Sequence, residues 1–264
     1  MLSAALALAS RRLSVKEDPR IGEVASALPG FNCAACGFPS CHAYAELIVQ
    51  GKAEVGGCVL AGQQTQTRIA RLMNVRLENK ESRVAVVCCR GGERECKKRF
   101  RYQGISTCRE NNLLAGGEKA CVYGCLGLGD CVRVCPFGAI ELSDDELPVV
   151  NEEKCTGCGL CVKACVRDII RLIPRSQKVY LGCVSQDKAK VVKDICPVGC
   201  FACGLCVNPK ITPGGFIVME NSLPVIKAKD VKDWRVLDQA VAKCPAKCYV
   251  VRDKQQIWQI KKLP

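Results

Sequence analysis

The chain has 264 residues, 23 of them cysteine, and a formal charge of +13 when every thiol is counted as neutral. An odd cysteine count in a chain this long argues against a small secreted disulfide scaffold, and leaves zinc or iron–sulfur chemistry in a reducing compartment. Four oxidised [4Fe–4S] cores, each about −2 with its four thiolates, would bring the charge to about +5. Aromatics make up only 5% of the residues and do not interleave with the basic runs, so no nucleic-acid partner is expected.

Residues 1–20 begin with the apolar run "MLSAALALA", which lacks the charged n-region of a signal peptide. It is too short for a membrane span of about 20 residues. Arg11 and Arg12 follow as they would at the cytoplasmic end of a span, so the segment reads as a frayed terminus or the end of a membrane helix. Residues 21–75 read as a helical [4Fe–4S] domain, with "IGEVASAL" and "CHAYAELIVQ" flanking Cys33, Cys36 and Cys41, and with Cys58 further on. These four thiols make a self-contained site. Cys41 opens a helix whose N-terminal amides favour a thiolate, although the spacing alone leaves zinc open. His42 is the only histidine and reads as a solvent-facing helix residue; a Rieske centre would need two. The polar run "NVRLENKES" reads as a linker.

Residues 83–118 begin with the β-rich run "RVAVVCC" and then turn basic. Residues 119–175 carry the clearest motif, "CTGCGLCVKAC", whose spacing is the bacterial ferredoxin run: three cysteines for one cluster and the fourth for another. One cluster is assigned to Cys155, Cys158 and Cys161 with the remote Cys135, which precedes Pro136. The second takes Cys125, Cys131 and Cys165, but the ferredoxin spacing puts Leu128 where a fourth cysteine is needed. Cys121, one helical turn before Cys125, is the expected replacement.

Residues 176–264, comprising the strand-like "KVYLGC" and a second unit, repeat this pattern. "ELSDDELPVV" and "IVMENSLPVI" are equivalent hairpins. Cys200, Cys203 and Cys206 form the triplet, and Cys244 before Pro245 is the remote ligand. The other cluster of this unit would need cysteines where Lys210, Trp234, Leu237 and Ala240 stand, so the unit reads as a one-cluster ferredoxin with Trp234 filling the vacated space. The tail, 253–264, is expected to be poorly ordered.

Seven cysteines remain: Cys88, Cys89, Cys96, Cys108, Cys183, Cys196 and Cys248. The runs ending in Cys89 and Cys183 would bring those thiols together if they paired side by side. With Cys108 and Cys196 they form a candidate fifth cluster; buried inert thiols or a redox thiol remain alternatives. "GCLGLGD" does not match a dinucleotide fingerprint, and no P-loop or nucleophile elbow occurs. Asp144 and Asp145 read as solvated turn residues. The expected fold class is α+β: a multi-cluster iron–sulfur protein with an N-terminal helical [4Fe–4S] domain, two ferredoxin-like units, at least four clusters and no catalytic site of its own.

The runs "ASRRLSVKEDPRIGEVASALPGFNCAACGFPSCHAYAELIVQGKA" and "CVYGCLGLGDCVRVCPFGAI" resemble the B subunits of Rnf-type electron transport complexes. The resemblance implies a protein that passes electrons from reduced ferredoxin into a membrane complex that reduces NAD+ and moves Na+ or H+. The implied place is the cytoplasmic face of the cell membrane. The implied partners are the other subunits, which hold the nicotinamide and flavin sites. It also implies ligand roles for Cys33, Cys36, Cys41, Cys58 and the ferredoxin cysteines above. A soluble polyferredoxin-type relay of another redox enzyme is the competing reading.

Overall fold

In the computed structural model residues 18–77 and 81–252 are described. The expected end of a membrane helix falls almost wholly in residues 1–17, and the tail in 253–264, both outside the described residues. No helix among the described residues is long and apolar enough to cross a membrane. The chain divides into two compact units, 1–80 and 81–264, with the boundary inside the polar linker.

The first unit is helical: α1 (Pro19–Ala27), α2 (Cys41–Val49) and α3 (Gln63–Leu72). Asp18 caps α1 by accepting from the Arg20 amide, and Pro19 takes the first helical position, where no N–H is needed. Ile21, Val24, Tyr44, Ala45, Ile48 and Ile69 form the core. The thiols of Cys36, Cys41 and Cys58 border that core, so the site is part of the packing.

The second unit contains four separate two-stranded antiparallel ladders. β2 (Ile140–Leu142) pairs with β3 (Pro148–Val150), and β6 (Ile217–Glu220) with β7 (Leu223–Ile226). These are the two expected hairpins. Strand β1 (Arg83–Val87) pairs with β4 (Ile170–Pro174), running from Arg83↔Pro174 to Val87↔Ile170. β5 (Val179–Leu181) pairs with β8 (Tyr249–Val251). The side-by-side pairing considered for the runs ending in Cys89 and Cys183 is therefore not formed. Each run instead covers the last strand of a ferredoxin-like unit, leaving neither β4 nor β8 without a partner. The short helices α4 (Cys108–Leu113), α5 (Asp130–Arg133), α6 (Leu160–Ala164), α7 (Ala189–Ile195) and α8 (Asp238–Lys243) begin or end next to cysteines.

The turn between β2 and β3 differs from expectation. Asp144 is exposed, but Asp145 is buried. Its carboxylate accepts from the Arg94 amide at 2.9 Å and from Arg94 Nε at 3.2 Å. Gly92 makes this approach possible, since a Cβ there would lie 1.8 Å from Asp145 Oδ2. The turn thereby pins the basic segment that follows Cys89.

Candidate metal centres

In the opening motif the chain doubles back through Asn32 and Ala34, both at positive φ (47° and 53°). Asn32 Oδ1 accepts from the Cys41 amide at 2.8 Å, and Ser40 caps α2 by accepting from the Ala43 amide at 3.1 Å. Cys33, Cys36, Cys41 and Cys58 consequently line one cavity, walled by Phe31, Phe38 and Tyr44. Tyr44 Oη donates to the Glu54 carbonyl at 2.5 Å, holding the turn that presents Cys58. Burial pushes the Cys58 thiol up and the Tyr44 phenol up to about 12.

Cys135, Cys155, Cys158 and Cys161 likewise line a single cavity, with Phe137, Ile140 and Leu172. Backbone amides point at the sulfurs: Ala139 N–H donates to Cys135 Sγ at 3.4 Å and Ala85 N–H to Cys155 Sγ at 3.5 Å. Gly157 at φ +72° lets β1 pass directly over the loop; a Cβ there would lie 2.6 Å from the Arg83 carbonyl oxygen. Burial pushes the Cys161 thiol up to about 12.

The third quartet is not the expected one. Cys125, Cys131 and Cys165 belong to one core, but the thiol facing Cys131, Cys165 and Cys125 is Cys108 rather than Cys121. Asp130 brings it there. Its carboxylate caps α4, accepting from the amides of Cys108 and Arg109 at 3.1 Å each. The Cys108 sulfur in turn receives the amides of Asp130 and Leu128. Cys108 therefore stands beside position 128, where the ferredoxin spacing calls for a cysteine. Burial raises the Cys108 and Cys125 thiols and pushes Cys131 up to about 12. Cys121 lies elsewhere, in a cavity lined by Cys88, Cys89, Cys96, Cys183 and Cys196. Of the candidate fifth set, Cys89, Cys183 and Cys196 meet there and Cys108 does not.

In the C-terminal unit the Cys200, Cys203, Cys206 and Cys244 thiols face one another. Cys203 is exposed. Cys248, wholly buried, lies between Cys200 and Cys244, and its amide donates to Cys244 Sγ at 3.4 Å. The Cys248 hydrogen bond holds the Cys244 thiol down to about 6. At the positions where a second cluster would need cysteines, Trp234, Leu237 and Ala240 pack with Val179, Ile217 and Tyr249 into an apolar core. Trp234 shares the vacated space with them.

Among the described residues no three Cys, His, Asp or Glu side chains converge closely enough to hold a single ion. A cube places one thiolate on each of four irons, further apart than the ligands of one ion. The donor sets fit such a group: only cysteines, with backbone N–H groups aimed at sulfur. The Tyr249 hydroxyl also fits, being buried with the Cys206 sulfur as its facing polar neighbour. Binding iron would displace the protons that burial holds on Cys58, Cys108, Cys125, Cys131, Cys161 and Cys206. The sequence reading missed Asp130, whose role depends on a contact across some twenty residues, and Lys119, a fully buried cation donating to the Gly91 carbonyl at 3.1 Å.

Cysteine-lined cavities built on short helices and two-stranded ladders define an iron–sulfur electron-transfer protein. Residues 28–60 match the family described as "Putative Fe-S cluster", and residues 120–169 match the "4Fe-4S dicluster domain". The chain is 41% identical, over 92% of its length and 72% of the relative's, to the B subunit of the Na(+)-translocating ferredoxin:NAD(+) oxidoreductase complex of Acetobacterium woodii. It is 38% identical, over 94% and 92%, to the B subunit of the ion-translocating oxidoreductase complex of Methanosarcina acetivorans. It is also 38% identical, over 74% and 69%, to the B subunit of the proton-translocating ferredoxin:NAD(+) oxidoreductase complex of Clostridium ljungdahlii. The chain belongs to the family of B subunits of ion-translocating oxidoreductase complexes.

Proposed function

We propose that this chain is the iron–sulfur electron-transfer subunit of a membrane-bound, ion-translocating ferredoxin:NAD+ oxidoreductase. Its electron donor is reduced ferredoxin and its partners are the other subunits of the complex. It works at the cytoplasmic face of the cell membrane, on the path toward NAD+ reduction coupled to Na+ or H+ movement. The names of its relatives and their coverage support this role.

The observation that carries the reading is the gathering of sixteen thiols into four all-cysteine sets. The proposed ligands are Cys33, Cys36, Cys41 and Cys58; Cys108, Cys125, Cys131 and Cys165; Cys135, Cys155, Cys158 and Cys161; and Cys200, Cys203, Cys206 and Cys244. A [4Fe–4S] cluster on each set supplies a one-electron site. The protein binds the groups and aims amides at their sulfurs, and each quartet includes at least one buried thiol. The positive charge of the chain offsets the negative charge of the loaded sites and leaves an excess suited to an acidic protein donor.

Anaerobic reconstitution followed by iron and sulfide analysis tests the reading. At least about 16 of each per chain is expected, four per cube. Stoichiometric zinc, or iron for one or two clusters only, would overturn it.

A further inference from the structure

With Cys108 beside Cys125, Cys131 and Cys165, Cys121 is released to the cavity it shares with Cys88, Cys89, Cys96, Cys183 and Cys196. No carboxylate or histidine lines this cavity. Its donor chemistry is thiolate alone, which selects a soft metal centre. We propose that Cys89, Cys121, Cys183 and Cys196 hold a fifth [4Fe–4S] cluster, with Cys96 as a hydrogen-bonding thiol beside it and not a ligand. The inference deepens the preceding reading and rests on it.

Three observations select these four. First, Cys88 continues β1, donating its amide to the Ile169 carbonyl at 2.7 Å, and its sulfur borders the cavity near Cys183 on the side that also faces Arg171 and Tyr180. Cys89 is the one taken as ligand, because its sulfur accepts the Cys125 amide at 3.4 Å and faces Lys119 and Cys96 within the cavity. Second, the Cys96 and Cys196 sulfurs are in hydrogen-bond contact. A cube separates its outer sulfurs by more than that contact, so only one of the two is a ligand. Third, Gly91 identifies which. A Cβ there would lie 2.8 Å from Cys196 Sγ and 3.4 Å from Cys96 Cβ, so the position is bare where both cysteines pass and it is the Cys196 sulfur that comes nearest. Lys119 is buried against the same wall, with Nζ on the Gly91 carbonyl, and faces Cys89 and Cys96. It supplies a positive charge where a loaded site would be negative.

The location gives the site its role. The Cys125 amide donates to Cys89 Sγ at 3.4 Å, which ties this cavity to the Cys108 quartet. The Cys200 amide donates to the Cys183 sulfur, which ties it to the C-terminal quartet. The C-terminal unit has apolar side chains where its own second cluster would sit. The thiols between the two units therefore stand where a connection is otherwise missing.

The test uses the full chain reconstituted anaerobically, with iron counted and the reduced protein titrated by electron paramagnetic resonance. The unsubstituted chain should bind about 20 irons. Cys183→Ser and Cys183→Ala should each lose about four and remove one paramagnetic species, leaving the other signals in place. Cys96→Ser should keep all the iron and shift the midpoint potential of one cluster. A native count near 16 that Cys183→Ser leaves unchanged would overturn the fifth site while leaving the four-cluster reading intact. Loss of four irons in Cys96→Ser but not in Cys196→Ser would overturn the ligand choice. Iron loss spreading to several clusters in both Cys183 variants would overturn the claim that this is a separate site. Failure of the broader reading would look different: zinc, or no iron, in the unsubstituted chain.

Discussion

A methyl group at Gly157 would have to share space with the Arg83 carbonyl oxygen, 2.6 Å away, on a backbone held at φ +72°. Gly138 also has positive φ, at +56°, but nothing lies within 4 Å of the position a Cβ would take. The pair separates two effects. Gly138→Ala should cost about 1 kcal/mol, the left-handed strain alone. Gly157→Ala adds a backbone collision, and should cost at least about 2 kcal/mol while loosening the Cys155–Cys161 loop from β1. Thermal unfolding of the two loaded variants, with iron counted in each, checks this; equal losses would show that close passage of β1 is unimportant. At this scale the sequence was informative where ligand spacing is local. Cys155, Cys158 and Cys161 are fixed by two-residue gaps and meet as their spacing predicts. Cys108 was not legible because its placement depends on Asp130 capping a helix that begins 22 residues earlier. Spacing within a motif carries no trace of such a contact.

At the scale of elements, the C-terminal unit has an apolar core where ferredoxin spacing would call for a second set of cysteines. Leu237 and Ala240 are almost wholly buried where ferredoxin spacing would put ligands. Leu237→Ala should therefore cost about 2–5 kcal/mol, as a cavity in an apolar core does, without changing the iron content. Denaturant unfolding and iron analysis on one sample test this; a loss of four irons would mean that this core still supports a cluster. The strand ladders were less legible than the hairpins. β2–β3 and β6–β7 are joined by short turns, whereas β1–β4 and β5–β8 join strands more than sixty residues apart, and nothing in a local pattern specifies such a partner. Beyond β8 the chain is held by Arg252, whose Nε donates to Glu152 at 2.7 Å. The Arg252 hydrogen bond holds the Glu152 carboxyl below its ordinary 4.5 against the opposing effect of burial. A carboxyl depressed in the folded state contributes stability above its unfolded value and loses it as pH falls through the folded one. Glu152→Gln should be less stable than the native chain by about 1–2 kcal/mol near neutrality, with the difference closing as pH falls below the carboxyl's ordinary 4.5 and through its lower folded value. Parallel denaturant curves across pH would show this; a pH-independent difference would contradict it.

Considered as a whole molecule, the chain sets its cysteines against its apolar cores. Each of its two units has a core in which cysteines border aliphatic side chains. Stability and cofactor content are coupled by that arrangement, as they are wherever a small domain packs around metal. The formal charge of +13 describes the chain with neutral thiols, and loading moves it toward neutrality. Mössbauer spectroscopy of the full chain, reconstituted anaerobically with 57Fe and kept oxidised, is the most direct measurement. The account predicts that essentially all bound iron gives the valence-delocalised doublet of [4Fe–4S]2+ clusters, with at least about 16 irons per chain. Iron present mainly as isolated tetrathiolate ions, or a folded chain holding zinc and no cluster doublet, would contradict it.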